Sequence, residues 1–183
     1  MSSILKVDQL QDSGGNSIIT SDGAGNITPG SLNIANAQIA SNAAIATTKL
    51  GTGAVLQVVN GLGSAITVNT TTPTAVSSVS ITPSSTSSKI FVIFSGNGNP
   101  NQVGGWQQMQ IYRGGTGVGR RTVFENGGAS SNNVPFALQA LDTPSTTSSV
   151  TYEARAWQGS GSWTYGEGGD LYATTITAFE IAG

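Results

Sequence analysis

The chain has 183 residues, a formal net charge of −2 and only 9% charged residues, with 25 glycines among abundant Ser, Thr and Asn. It contains no cysteine and no histidine, which excludes disulfides, thiolate nucleophiles, imidazole bases and the usual zinc ligands. Seven basic residues without a basic run leave no electrostatic footprint for phosphates, so nucleic acid is not an expected partner.

The first elements are slight. Ile4, Lys6, Asp8 and Leu10 alternate with Leu5, Val7 and Gln9, which predicts a short strand; a turn follows at DSGGN and a second strand at SIITSD. The opening apolar run stops at Leu5, interrupted by Lys6 and Asp8, so it lacks the apolar core of a secretory signal. Nothing approaches the ~20 apolar residues of a membrane span. The expectation is a chain made in the cytoplasm without a signal peptide and not inserted in a membrane. Strands this short are not stable alone, so residues 1–29 are expected to be ordered by docking onto a larger assembly.

Residues 30–53 form a low-complexity segment rich in Ala, Asn, Ile and Ser. Leu32, Ala35, Ile39, Ala43, Ala46 and Leu50 follow one another at spacings of three and four, the period of a helix face. The stripe is small and alanine-heavy, too weak for an isolated helix. Two readings stay open: a flexible linker, or a short neck that packs on copies of itself around a threefold axis.

From Ala54 the pattern changes to short segments rich in Val, Ile, Thr, Tyr and Phe, separated by Gly, Pro, Asn and Ser clusters. They are AVLQVV, AITVNT, AVSSVSIT, KIFVIFSG, WQQMQIYR, RRTVFEN, VPFALQAL, SVTYEARAW and LYATTITAFEIAG. Most alternate with period two and no convincing helix separates them, which predicts an antiparallel β-sandwich or jelly roll over residues 54–183. Its expected core is Ile90, Val92, Phe94, Ile111, Phe136, Leu138, Tyr152, Ile176 and Phe179, or their neighbours. The stretch between Gly51 and Ser88 carries no charge. Free edge strands are normally blunted by charge, so this stretch is expected to lie under neighbouring subunits.

Candidate chemistry is sparse. GGTGVGRRT has the glycine spacing of a phosphate loop, but Arg120 and Arg121 replace its Lys and Ser/Thr and a strand follows; a hairpin turn explains it. Glu167 and Asp170 share the YGEGGD loop with Trp163 and Tyr165. A glycosidase needs two carboxylates flanking one bond, and no second acidic cluster supports one; sugar or calcium binding is the weaker alternative to a solvated loop. No catalytic residue, metal ligand or cofactor is expected. Trp106, Trp163 and Tyr165 lie in or beside Gly-rich loops, where large rigid aromatics commonly anchor recognition, and are the candidate contacts to a host-surface ligand. Trp157, at a strand end, is read as core packing.

The phrases SILKVDQLQDSGGNSIITSDGAGNIT, ANAQIASNAAIATTKL, AVLQVV, ITPSSTSSKIFVIFSGNG and ITAFEIAG resemble small virion proteins of marine tailed phages, especially the tail-fibre-like proteins of cyanophages. The resemblance implies an N-terminal virion anchor, here Ile4, Leu5, Val7 and Leu10, then a trimeric stalk and an outward β-rich domain. It implies no cofactor and no enzymatic activity. The expected protein is therefore all-β: a docking segment (1–29), a short trimeric neck (30–53) and a β-sandwich (54–183). As a homotrimeric tail-fibre component it would bind other virion proteins by its N-terminus and a host-surface glycan or protein by its far end. The brevity of the stalk leaves a second expectation, a capsid decoration or head-fibre protein that binds no host.

Overall fold

A computed structural model describes residues 7–24, 26–29, 49–101, 103–125, 127, 133–166 and 174–183. The chain forms two compact units, Met1–Ile45 and Ala46–Gly183. Of the predicted neck only 49–53 fall among the described residues.

The first unit contains an antiparallel meander of β1 (Gln9–Gln11), β2 (Ser17–Ser21) and β3 (Ile27–Pro29). Its two turns are built alike. Asp12 Oδ1 accepts the backbone N–H groups of Gly14 (2.9 Å) and Asn16 (2.8 Å), while Oδ2 accepts from Asn16 Nδ2 (3.0 Å). Ten residues on, Asp22 repeats this with Ala24 N (2.8 Å), Asn26 N (3.1 Å) and Asn26 Nδ2 (2.6 Å). Such bonds let an aspartate stand in for a backbone turn, and the Asn16 and Asn26 side chains hold the two carboxyls below their ordinary value. The first turn was expected. The second, and β3 after it, were legible as the repeat D-x-x-x-N and were missed. The strand expected over Ile4–Leu10 is seen from Gln9 onward; Ile4 and Leu5 lie outside the described residues.

The second unit holds β4 (Val55–Leu62), β5 (Ile66–Val68), β6 (Thr74–Ile81), β7 (Lys89–Pro100) and β8 (Trp106–Arg113). It continues with β9 (Thr116–Glu125), β10 (Val134–Asp142), β11 (Val150–Ser160), β12 (Trp163–Tyr165) and β13 (Thr175–Ile181). One sheet is organised on the long strand β7. On one side β7 pairs along its first half with β13, which carries β4, and along its second half with β12, which carries β5; on the other side it pairs with β10. The opposing sheet runs β6-β11-β8-β9. All these pairings are antiparallel, so the all-β sandwich is as expected.

Alternation decides what is inside. Ile90, Val92 and Phe94 on β7 meet Ile176 and Ala178 on β13, and Met109, Ile111, Tyr152 and Ala154 from the opposing sheet close the same core. Burying each large side chain contributes about 1.5–3 kcal/mol. Eight of the nine predicted core residues are buried; Phe179 is not, because β13 turns Ala178 and Glu180 inward instead. The predicted hairpin is present. Arg113 pairs with Thr116 across Gly114 and Gly115, at φ 53° and 86°, the left-handed pair that a two-residue hairpin loop requires. The uncharged stretch, expected to lie under other subunits, is partly covered from within. Gly61 of β4 passes so close to β6 that a Cβ there would lie 2.1 Å from the Ser78 carbonyl oxygen.

Candidate functional site

The aromatic candidates separate. Trp163 and Tyr165 sit on β12, between β5 and β7, and are 1% and 0% exposed. Their Gly/Ser-rich surroundings suggested a loop, but period two turns both rings into the core, where Tyr165 stacks edge-on against Phe136 at 5.6 Å. Burial raises the Tyr165 hydroxyl well above its ordinary value, and it stays protonated, directed at Gln107 Oε1 at 3.4 Å. These two side chains are packing residues and present nothing to a host surface, which corrects the expectation drawn from their loop-like context. Glu167 and Asp170 lie outside the described residues.

Trp106 remains partly exposed. It opens β8 and lies across the backbone of Gly159 on β11. It belongs to the outer face of the β6-β11-β8-β9 sheet, which also presents Tyr112 beside Glu153, and Ser80 beside Thr151. Arg155 pairs with Glu153, Nε to Oε2 2.9 Å, and its guanidinium lies 4.8 Å from the centre of the Tyr112 ring. Tyr112 in turn meets Trp157 edge-on at 6.5 Å. Trp157 is 8% exposed, consistent with the packing role read from the sequence, although it lies on the outer rather than the inner side of its strand. Sequence reasoning missed Tyr112, Glu153 and Arg155 as one group, because only antiparallel pairing brings β8 beside β11. Aromatic edges set among fixed amide, guanidinium and hydroxyl groups suit a hydroxyl-rich ligand. They include no nucleophile paired with a base.

Two further polar groups hold the sandwich together. Tyr152 donates to Asp142 Oδ2 at 2.7 Å, and Arg113 reaches the same oxygen at 3.2 Å, tying β10 of one sheet to β8 and β11 of the other. Burial, then the Asp142 carboxylate, pushes the Tyr152 hydroxyl up, so it remains a donor. Glu180 is fully enclosed and accepts from Ser84 N (2.6 Å), Ser84 Oγ (2.6 Å), Ser88 Oγ (2.7 Å) and Gln57 Nε2 (2.5 Å). Burial raises its carboxyl, but the bonds from Ser84, Gln57 and Ser88 outweigh that and hold it below the ordinary value. The group pins the loop between β6 and β7 to β13. Among the described residues no three His, Cys, Asp or Glu side chains converge as a metal site.

In the first unit Val7 and Leu10 are 55% and 51% exposed, as are Ile18 and Ile19 at 46% and 40%. Leu10 and Ile19 are direct cross-strand neighbours, so they form one apolar step on the meander.

No family model matches the chain, and no curated protein matches it. Among solved structures, it is similar to the PRD1 vertex protein P5, at 12% identity and a TM-score of 0.42, over 70% of this chain and 99% of that one. It also overlaps the infectious bursal disease virus VP2 subviral particle, at 16% identity and 0.40, over 69% of this chain and 37% of that one. A third overlap is with the Gt strain of the same virus, at 18% identity and 0.36, over 69% and 38% of the two chains. At scores this low, neither fold nor function is inferred from them.

Proposed function

We propose that the chain is a bacteriophage virion structural protein that attaches by its N-terminal unit and carries its β-sandwich as a homotrimer on the particle surface. The observation that carries this reading is the small first unit. Its described strands are three to five residues long and expose Leu10, Ile18 and Ile19, with Val7 exposed just before the first of them. A sheet of that size buries too little to be stable by itself, and its exposed apolar step fits a docking contact with another virion protein. The N-terminal resemblance to cyanophage tail-fibre-like proteins supports the same role.

In the tail-fibre form of the reading, the host-contact surface is the outer face around Trp106, Tyr112, Glu153 and Arg155, and its ligand a surface glycan or protein. Weak sites repeated on one trimer and over several fibres gain about 10²–10⁴ through avidity. The burial of Trp163 and Tyr165 favours the second form, a capsid decoration protein that binds no host.

Immunogold electron microscopy of the virions with an antibody to the sandwich tests both. Gold at the tail supports the fibre form and gold over the head the decoration form. Purified virions that carry no gold, and no such chain by mass spectrometry, would overturn the virion role altogether.

A further inference from the structure

The two outer faces of the sandwich differ in kind. The outer face of the β6-β11-β8-β9 sheet is mixed, with Ser78, Ser80, Thr151, Glu153, Arg155 and Gln108 beside the aromatics Trp106, Tyr112 and Trp157. The other outer face is apolar across its whole width at one end. Val58 on β4 lies opposite Phe179 on β13, Phe179 opposite Phe91 on β7, and Phe91 opposite Leu141 on β10. The two phenylalanine rings are 6.2 Å apart, and Val55 and Ile181 form the start of the next row. Val58 and Leu141, at the ends of the main row, are 54% and 58% exposed. An antiparallel sheet with one solvated face normally alternates apolar-in and polar-out. This sheet is apolar on both sides at that end, and contiguous apolar patches of this kind mark interaction surfaces.

We infer that this outer face is where copies of the chain meet in pairs, face against face, a self-interface that rests on the reading above that copies assemble on the particle. The occupant follows from charge and size. Lys89, beside Ile181, is the one charged residue among the outward positions of β4, β13, β7 and β10, and no carboxylate accompanies it. A charged partner would find almost nothing to pair with. A second copy brings no charge beyond another Lys89, whose stem can lie along the apolar surface with its ammonium in water. Four strands at ~4.8 Å and seven residues at ~3.4 Å give the whole face, with its polar row of Asn60, Thr177 and Gln139 included, a footprint of about 450 Å². Two such faces together approach the ~1,000 Å² expected of a specific interface. Twisted sheets of equal width pack on each other directly.

The absence of cysteine makes the test clean. Single substitutions Val58→Cys and Leu141→Cys probe this face in the full chain, and Thr151→Cys probes the opposite one. All three sites are exposed, and either of the first two suffices if the other folds poorly. Each variant is treated at micromolar concentration with a bis-maleimide whose spacer spans about four strand spacings, ~20 Å. Val58→Cys and Leu141→Cys should give covalent dimers at least several-fold more than Thr151→Cys. Equal yields from all three would overturn the inference. So would no dimer with a freely labelled thiol, the sign of a bare face, or no dimer with a protected thiol, the sign of another occupant. Particle labelling is independent of this outcome: gold on virions without crosslinks removes the interface and leaves the virion role standing.

Discussion

Glu180 carries the sharpest prediction at the level of a single side chain. The Gln57 amide that donates to it is fixed by a second bond to the Thr82 carbonyl at 2.7 Å, and Ser84 presents a backbone N–H that cannot become an acceptor. Glu180→Gln must therefore set an amide N–H against one of these donors, and the loss should be about 1–3 kcal/mol, measured by urea unfolding at neutral pH. The pH dependence has a definite sign. The folded-state carboxyl is held below its ordinary value of 4.5. The stability it adds is complete above that value and is lost as pH falls through the lower folded-state value. The gap between wild type and variant should narrow over that acid range. Trp163→Ala tests the core placement that replaced the surface reading: it should cost about 3–5 kcal/mol in the same measurement. A loss of host adsorption with unchanged stability would contradict that placement.

At the level of elements, the strands of the sandwich were legible because one buried and one outward face impose period two on SVTYEARAW, and because β-branched and aromatic runs such as KIFVIFSG are bounded by Gly, Ser and Asn clusters. β12 was not. Three residues, Trp163–Tyr165, are too few to display a period, and their Gly/Ser neighbours point to a loop; the pairing with β5 and β7 turns them inward. The proposed host-contact set is legible in part, since Trp106 was singled out while Tyr112 and Arg155 became neighbours only through the β8–β11 register. The meander carries its own prediction. Leu10→Asp with Ile19→Asp removes the apolar step of the first unit. Urea unfolding of the sandwich should stay within about ±0.5 kcal/mol of wild type, while incorporation of the double variant into particles, read by immunoblot of purified virions, should be lost.

Across the whole molecule, the asymmetry between the two outer faces organises the proposed assembly: a mixed face where Arg155 and Glu153 sit among aromatics, and a face whose apolar end, with Phe91 and Phe179, is turned toward a second copy. An interface with so little charge should be indifferent to salt, since screening acts on charge pairs, and should tighten in sulfate, which strengthens apolar burial. Sedimentation velocity of the full chain in rising sodium chloride and then ammonium sulfate checks this. Dissociation by sodium chloride would mean that ion pairs hold the copies together.

The sequence by itself determined the class of protein. Its lack of cysteine and histidine removes most catalytic chemistry, and its alternating, turn-punctuated second part can bury a core only as paired sheets, a constraint local enough to be written in adjacent residues. Tertiary structure alone decided which aromatics are exposed, that Glu180 is enclosed by donors from β4 and from the loop between β6 and β7, and that Val58, Phe179, Phe91 and Leu141 lie in one row. Those residues are all 33 or more positions apart in the chain, so no local period records them. Cross-strand register, set by the whole pattern of hydrogen bonds, is what makes them neighbours.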